Sequence, residues 1–297
     1  MKYLVMDVGG SSVKYAVMDE DCNFYVKGKV DVIREPLKAF MDVLYGIYDD
    51  TKSYGLSGIA LSLPGVIETE SGYVHNGGAI ICLKGVNIVE LLTERTQLKV
   101  TVENDAKAAV QSELWRGSLK GCKNAAAIIL GTGVGGAVVI DGKVLRGFNL
   151  MAGEFSYLLG NFDTKEDHET CLALAAGSES LSKYVAEETG LKSEELNGEK
   201  IFALVKKGDL KALNGVRRYC HIIALLIDNL KFIIDPEKIV IGGGISAEPK
   251  LIELLNKELE TLTTLHPYGI PSPQVSSCAF YNDSNLIGAL YVHLKSI

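Results

Sequence analysis

Basic residues are nowhere gathered into a cluster in this sequence. Its 30 Lys and Arg are outnumbered by 37 Asp and Glu, for a net charge of −7. That argues against a nucleic-acid partner, which needs a positive patch. Phosphorylated small molecules stay possible, because backbone amides and a metal ion supply positive potential locally. Paired cysteines are missing too. The six cysteines (Cys22, Cys82, Cys122, Cys171, Cys220, Cys278) are scattered with no C-x-x-C spacing. Reduced, mostly buried thiols in a cytoplasmic protein are the better account. The five histidines (His75, His168, His221, His266, His293) are dispersed, so no metal motif can be read from their spacing. Long apolar runs are also absent. The most apolar stretch, Tyr219 to Ile234, is broken by His221, Asp228 and Lys231 and reads as a buried helix, not a membrane span. The N-terminus enters a strand directly, so no signal peptide is expected.

What is present is a soluble globular composition. The chain has 297 residues, 47% hydrophobic and 23% charged, enough for two ordinary domains. The stretch Val100 to Asp141 organises the reading. Asn104-Asp105 closes an apolar run and precedes a helix-like segment with Ala106, Val110 and Leu114 on one face. An Asp there can cap the first turn, and the helix dipole keeps it ionised. Gly131-Thr132-Gly133-Val134-Gly135-Gly136 then lies between the apolar runs Ala125–Leu130 and Ala137–Ile140. Glycines there let N–H groups approach an anion. Gly131, Gly133 and Gly136 satisfy G-x-G-x-x-G, but in a dinucleotide site those glycines open a helix. Here they open a strand that ends in the hairpin signal Asp141-Gly142. The dinucleotide reading is rejected in favour of a phosphate-binding β-hairpin. The same device occurs earlier, where Tyr3–Val8 runs through Gly9-Gly10-Ser11-Ser12 into Val13–Met18. Two copies suggest a duplicated α/β domain clasping one nucleotide.

The remaining elements are read from periodicity. Helices are expected over Leu37–Ser53, Asn87–Leu98, Ser178–Glu188, Glu199–Lys207, Val216–Ile234, Pro249–Leu262 and Ser284–Leu294. Strands are expected at Leu56–Leu63, ending in Pro64-Gly65, and at Ile239–Ile241, running into Gly242-Gly243-Gly244. Residues 66–87 are loop-rich. The expected domains are 1–118 and 119–297, with a closing helix at about 284–297 that can pack back on the first.

With these residues in hand, the chain resembles the ROK family (repressors, open reading frames and sugar kinases) over its whole length. The matching pieces, in order, are Asp7-Val8-Gly9-Gly10, Leu63-Pro64-Gly65, Glu103-Asn104-Asp105-Ala106 and Leu130 to Gly136. Ala152-Gly153-Glu154 and Asp235-Pro236 through Gly244 complete them. The resemblance implies a bilobal sugar kinase/actin/Hsp70-type ATPase fold, two duplicated α/β domains with a central cleft. It also implies an enzyme that uses ATP and Mg²⁺ to phosphorylate a small-molecule sugar. By matched position, Asp105 would accept the hydroxyl proton, and Gly65, Asn104 and Glu154 would bind the sugar. Asp7 would act on Mg²⁺ through water. Gly9, Gly10 and Ser11, with Gly131, Thr132, Gly133 and Gly135, would hold the phosphates, and Gly243 and Gly244 would pass close to the adenosine.

The departures carry information as well. Family kinases usually place a zinc-binding His three residues after the glutamate; here that residue is Tyr157. Their cysteine-rich loop is reduced to Asn161 through Thr170, leaving Cys171 alone, and His168 with Cys171 is too few ligands. No structural zinc is therefore expected. The family's second sugar-binding glutamate would fall near Leu172 or Ala173, which removes contacts at the anomeric end. Gly153-Glu154-Phe155-Ser156-Tyr157 and Gly77-Gly78-Ala79-Ile80 look most like the β-glucoside kinase branch, which phosphorylates the 6-hydroxyl of the non-reducing glucose. A glucokinase or N-acetylmannosamine kinase is the alternative, and a non-catalytic sugar-sensing regulator another. The family's repressors carry an N-terminal DNA-reading domain, for which a first strand at Lys2 leaves no room. Neither a nucleic acid nor a membrane is expected as partner, and association into a homodimer is left open. Tyr157 stands equally for sugar stacking and for packing.

Overall fold

The computed structural model describes residues 1–159, 171–266 and 269–297. The first part of the chain runs β1 (Lys2–Val8), β2 (Ser12–Asp19), β3 (Phe24–Asp31), α1 (Leu37–Thr51), β4 (Gly58–Leu63), β5 (Val66–Glu68), β6 (Tyr73–Asn76), β7 (Val86–Asn87), α2 (Ile88–Thr96), β8 (Val100–Asn104) and α3 (Asp105–Arg116). There follow β9 (Ala125–Leu130), β10 (Val134–Ile140), β11 (Lys143–Val144), α4 (Leu172–Ala176), α5 (Ser178–Thr189), α6 (Gly198–Lys206), α7 (Leu210–Ile234), β12 (Lys238–Gly242), α8 (Pro249–Thr263), β13 (Gln274–Ser277) and α9 (Ser284–Ser296).

The chain divides into two compact units. The first comprises Met1–Gly117, Arg146–Met151 and Asn282–Ile297; the second comprises Ser118–Leu145 and Ala152–Tyr281. The sheet of the first unit has the order β3-β2-β1-β4-β8, and that of the second β11-β10-β9-β12-β13. In each, the first three strands are antiparallel neighbours and the last two add in parallel. Topology therefore repeats where the glycine hairpins repeat.

In the first unit, the central strand β1 is buried from Tyr3 to Val8, as a strand covered on both faces must be. At the sheet edge, β3 alternates half-buried and exposed residues along FYVKGKVD. The stripe Phe40, Met41, Leu44 and Ile47 of α1 joins Leu4, Met6, Ile59 and Leu61 in one core. Helix α9 packs on α3, β4 and β8. Its His293 is fully buried, with Nδ1 against Thr101 Oγ1 at 3.0 Å and its ring edge-on to Tyr3. Gly58 accepts that ring because it has no side chain; a Cβ there would stand 2.2 Å from Nε2.

In the second unit, Ala126, Ile128 and Ile241 of the sheet pack with Tyr219, Ile223 and Ile227 of α7 and Leu251, Leu255 and Leu259 of α8. Several elements of the two units differ from the expectation. Helix α7 begins at Leu210, six residues before Val216, capped by Asp209 Oδ1 accepting from Lys211 N and Ala212 N. Its turn-like Asn214-Gly215 stays helical because α5 crosses there, where a Cβ on Gly215 would meet Val185 Cα at 2.7 Å. Residues 66–87, expected as loop, contain a three-stranded sheet β5-β6-β7 whose strands are too short to show alternation. Strands β3, β11 and β13 and the short helix α4 were not foreseen.

Candidate functional site

In the first unit, β8 delivers Glu103 and Asn104 directly into α3. Asn104, not Asp105, caps that helix: its Oδ1 accepts from Lys107 N at 3.0 Å, and its Nδ2 donates to Gly65 O at 3.0 Å. The plain alternative for Asp105, a cap, is thereby corrected. Asp105 occupies the first helical position, half-buried, with Oδ1 accepting from Ala106 N at 2.8 Å. Gly65 holds φ at +103°, and a Cβ there would lie 2.0 Å from the Asn76 carbonyl oxygen. Only glycine brings the Pro64-Gly65 turn this close to β6 and Asn104.

Behind these residues lies a buried ion pair that sequence reasoning missed. Glu103 is fully buried, and Arg146 forks onto it at 2.7 and 2.6 Å. Glu103 Oε1 also accepts from Asn104 N at 2.9 Å and from Thr69 Oγ1 at 3.3 Å. The hydrogen bonds to Glu103 hold the Arg146 guanidinium above its ordinary value, against burial. A carboxylate with this many donors fixes the start of α3. Arg146, Lys107 and Leu150 share a narrow recess with Gly65 and Asn104. The one signal in the sequence was a charge, Glu103, ending a buried strand; its partner 43 residues on was illegible.

Asp7 stands at the end of β1, 6% exposed. Its Oδ1 accepts from Ser62 Oγ at 3.0 Å and from Asn285 Nδ2 at 2.9 Å, and its cross-strand partner is Lys14. Burial pushes the carboxyl above its ordinary value, while Asn285, Lys14 and Ser62 pull it down. The Gly9–Ser11 turn is closed by Gly9 N donating to Ser12 O at 2.9 Å, and Arg34 Nε donates to Gly10 O at 2.7 Å. Ser11 is exposed.

In the second unit, the turn between β9 and β10 is Gly131-Thr132-Gly133, with Gly131 N donating to Gly133 O at 3.0 Å. Gly135 lies inside β10 opposite Ile129, so the turn is shorter than the glycine run. Ser178 N, at the start of α5, donates to Gly131 O at 2.8 Å. Gly131, Thr132 and Gly244 line one cavity of about 720 Å³, with Ser178, Asn197 and Phe202. Gly243 sits beside it at φ +91°, where a Cβ would be 1.9 Å from Leu130 O. Thus β12 turns sharply out of the sheet against β9. Glu154 precedes a short 3-10 turn, Phe155–Tyr157, on which Tyr157 is 70% exposed. Ser156 Oγ accepts from Val134 N at 3.0 Å and ties that turn to the hairpin. Asn161–Thr170, including His168, lies outside the described residues.

The structure thus gathers Gly65, Asn104 and Asp105 at one place, Asp7, Gly9, Gly10 and Ser11 at a second, and Gly131, Thr132 and Gly244 around a third. Ser62, Asn285, Glu103 and Arg146 are the additions. A family model described as the ROK family matches residues 3–296. A β-glucoside kinase of Listeria monocytogenes is 29% identical over 308 residues, spanning 99% of this chain and 98% of that protein. Among solved structures, a ROK family protein from Streptococcus pneumoniae in complex with sucrose superposes with a TM-score of 0.89 at 29% identity, over 100% of this chain and 99% of that one. A ROK family glucokinase from Streptomyces griseus, in complex with glucose and AMPPNP, is 23% identical with a TM-score of 0.83, covering 97% and 98% of the two chains, and shares the fold. The fold is the sugar kinase/actin/Hsp70-type ATPase fold expected from the two glycine hairpins.

Proposed function

This chain belongs to the ROK family, and from that premise we propose that it is an ATP-dependent sugar kinase acting on the 6-hydroxyl of a hexose. Its acceptor in this reading is the non-reducing glucose of a β-glucoside such as cellobiose. The observation that carries the proposal is Asp105, an ionisable carboxylate at the first position of α3, beside Gly65 and an Asn104 locked in place on both sides. Phosphoryl transfer needs mainly positioning and charge neutralisation, so one oriented carboxylate and amide-rich turns suffice.

In the proposed step, Asp105 holds the sugar hydroxyl in line and takes its proton as the oxygen bonds to the γ-phosphorus. The bond from that phosphorus to the β-phosphate bridging oxygen breaks, and ADP leaves. Asn104 and Glu154 would hold ring hydroxyls of the sugar. The Gly9-Gly10-Ser11 and Gly131-Thr132-Gly133 turns offer backbone N–H groups to phosphate oxygens, and Gly243 and Gly244 border the adenosine. Mg²⁺, when bound, neutralises charge on the phosphates. Asp7 fits it, being a buried carboxylate whose two hydrogen bonds fall on Oδ1, leaving Oδ2 for a metal-bound water.

The β-glucoside preference is supported by the likeness to the Listeria enzyme and by Leu172 and Ala173, apolar residues where a second sugar-binding glutamate would stand. Free glucose then loses its grip at the anomeric hydroxyl, whereas a C1-substituted glucose loses nothing. A coupled ADP-release assay across glucose, cellobiose, gentiobiose, aryl β-glucosides and N-acetylmannosamine tests this. Cellobiose or an aryl β-glucoside is expected to exceed glucose in kcat/KM by at least about tenfold, the least that one charged hydrogen bond is worth. Glucose or N-acetylmannosamine leading that series would overturn the substrate while leaving the kinase; no ADP release with any sugar would overturn both.

A further inference from the structure

The segment Arg146–Met151 carries a side chain that nothing covers. Phe148 is 101% exposed, the most exposed large hydrophobic residue among those described. Its backbone is nonetheless firmly set. Leu150 N donates to Gly147 O at 3.3 Å, closing a tight turn with Phe148 and Asn149 at its centre. Gly147 and Leu150 flank that tip with φ of 75° and 62°. Both feet of the turn are tethered to the wall of the proposed acceptor site. Arg146 is forked onto buried Glu103, and Lys107 Nζ donates to Leu150 O at 3.4 Å. Arg146 and Leu150 line the same recess as Gly65 and Asn104.

An exposed phenyl ring on a flexible loop would mean little. On a turn anchored at both feet, its Cα is held at a fixed place beside the proposed acceptor site, so only the ring's own rotamers are lost when another ring stacks on it. Sugar rings present apolar C–H faces and aryl groups present π-faces, and both suit a Phe ring. We propose that Phe148 binds the group attached at C1 of the acceptor, the second sugar ring or aryl aglycone. This deepens the kinase reading and rests on it. Phe148 would then set acceptor specificity by position: glucose lies against the wall that Gly65 and Asn104 form, and the aglycone leans on the turn beside it.

The test compares F148A, F148W and the parent enzyme on methyl β-glucoside, p-nitrophenyl β-glucoside and cellobiose. F148A is expected to lower kcat/KM for the aryl and disaccharide acceptors about two- to tenfold relative to the methyl glucoside, chiefly through KM. F148W is expected to retain the preference. Equal losses on all three acceptors, or no change in the ratios, would overturn the assignment while leaving a working kinase. If the parent enzyme phosphorylates none of the three, the kinase reading fails first and takes this one with it.

Discussion

Asp105 is the residue on which the proposed chemistry depends, and its hydrogen bond to Ala106 N makes it testable without disturbing the fold. Asp105→Asn keeps a carbonyl oxygen in place for that N–H and keeps the side-chain volume, but it cannot accept a proton. Turnover is expected to fall by about 10²-fold or more, with sugar binding and melting temperature nearly unchanged. Turnover within a few-fold of the parent enzyme would remove Asp105 from the reaction. Asn104-Asp105 ahead of a helix made Asp105 a candidate in the sequence. Its division of labour with Asn104 was not legible there, because either side chain can cap and only geometry decides which one does.

At the scale of elements, legibility followed burial. Strand β9 stands at Ala125–Leu130, the bounds read from its apolar run, because a central strand is apolar on both faces. The strands of β5-β6-β7 had two to four residues each and no room for a pattern. The bond between Arg146 and Glu103 joins elements that no local period connects. Helix α9 was legible as a helix, but its fastening was not. Burial lowers His293 from an ordinary value near 6.5 to about 4, with Lys99 acting in the same direction. The unfolded chain therefore takes up the proton first as pH falls. Stability from the neutral buried ring is full above pH 6.5 and is lost progressively towards pH 4, by roughly 3 kcal/mol in all. Denaturant midpoints measured from pH 7 to pH 4.5 should fall more steeply for the parent protein than for H293Q. Parallel curves for the two proteins would show that His293 does not titrate this way.

At the scale of the whole molecule, the sequence disclosed the duplication through two glycine hairpins, and the two sheets repeat their strand order accordingly. What it left open is the acceptor, because hydroxyl recognition depends on irregular segments whose shape no periodicity encodes. It also makes a claim about metal content. With Tyr157 where the family usually has His, and with cysteines dispersed as free thiols among the described residues, elemental analysis should find no stoichiometric zinc. One tightly held zinc per chain would refute that. The division of the chain bears further on how the molecule is made. Helix α9 packs on α3 and against β1, β4 and β8, yet the whole of the second unit, Ser118–Leu145 and Ala152–Tyr281, separates it in sequence from Met1–Gly117. On the ribosome, the helix that begins at Asp105 must wait, its partner unborn, while all of the second unit is translated. Asn285, the donor to Asp7, arrives equally late. Synthesis order thus makes the first unit to emerge the last to finish, and a nascent chain interrupted before residue 282 carries Asp105 and Asp7 without the helix and the amide that hold them in place.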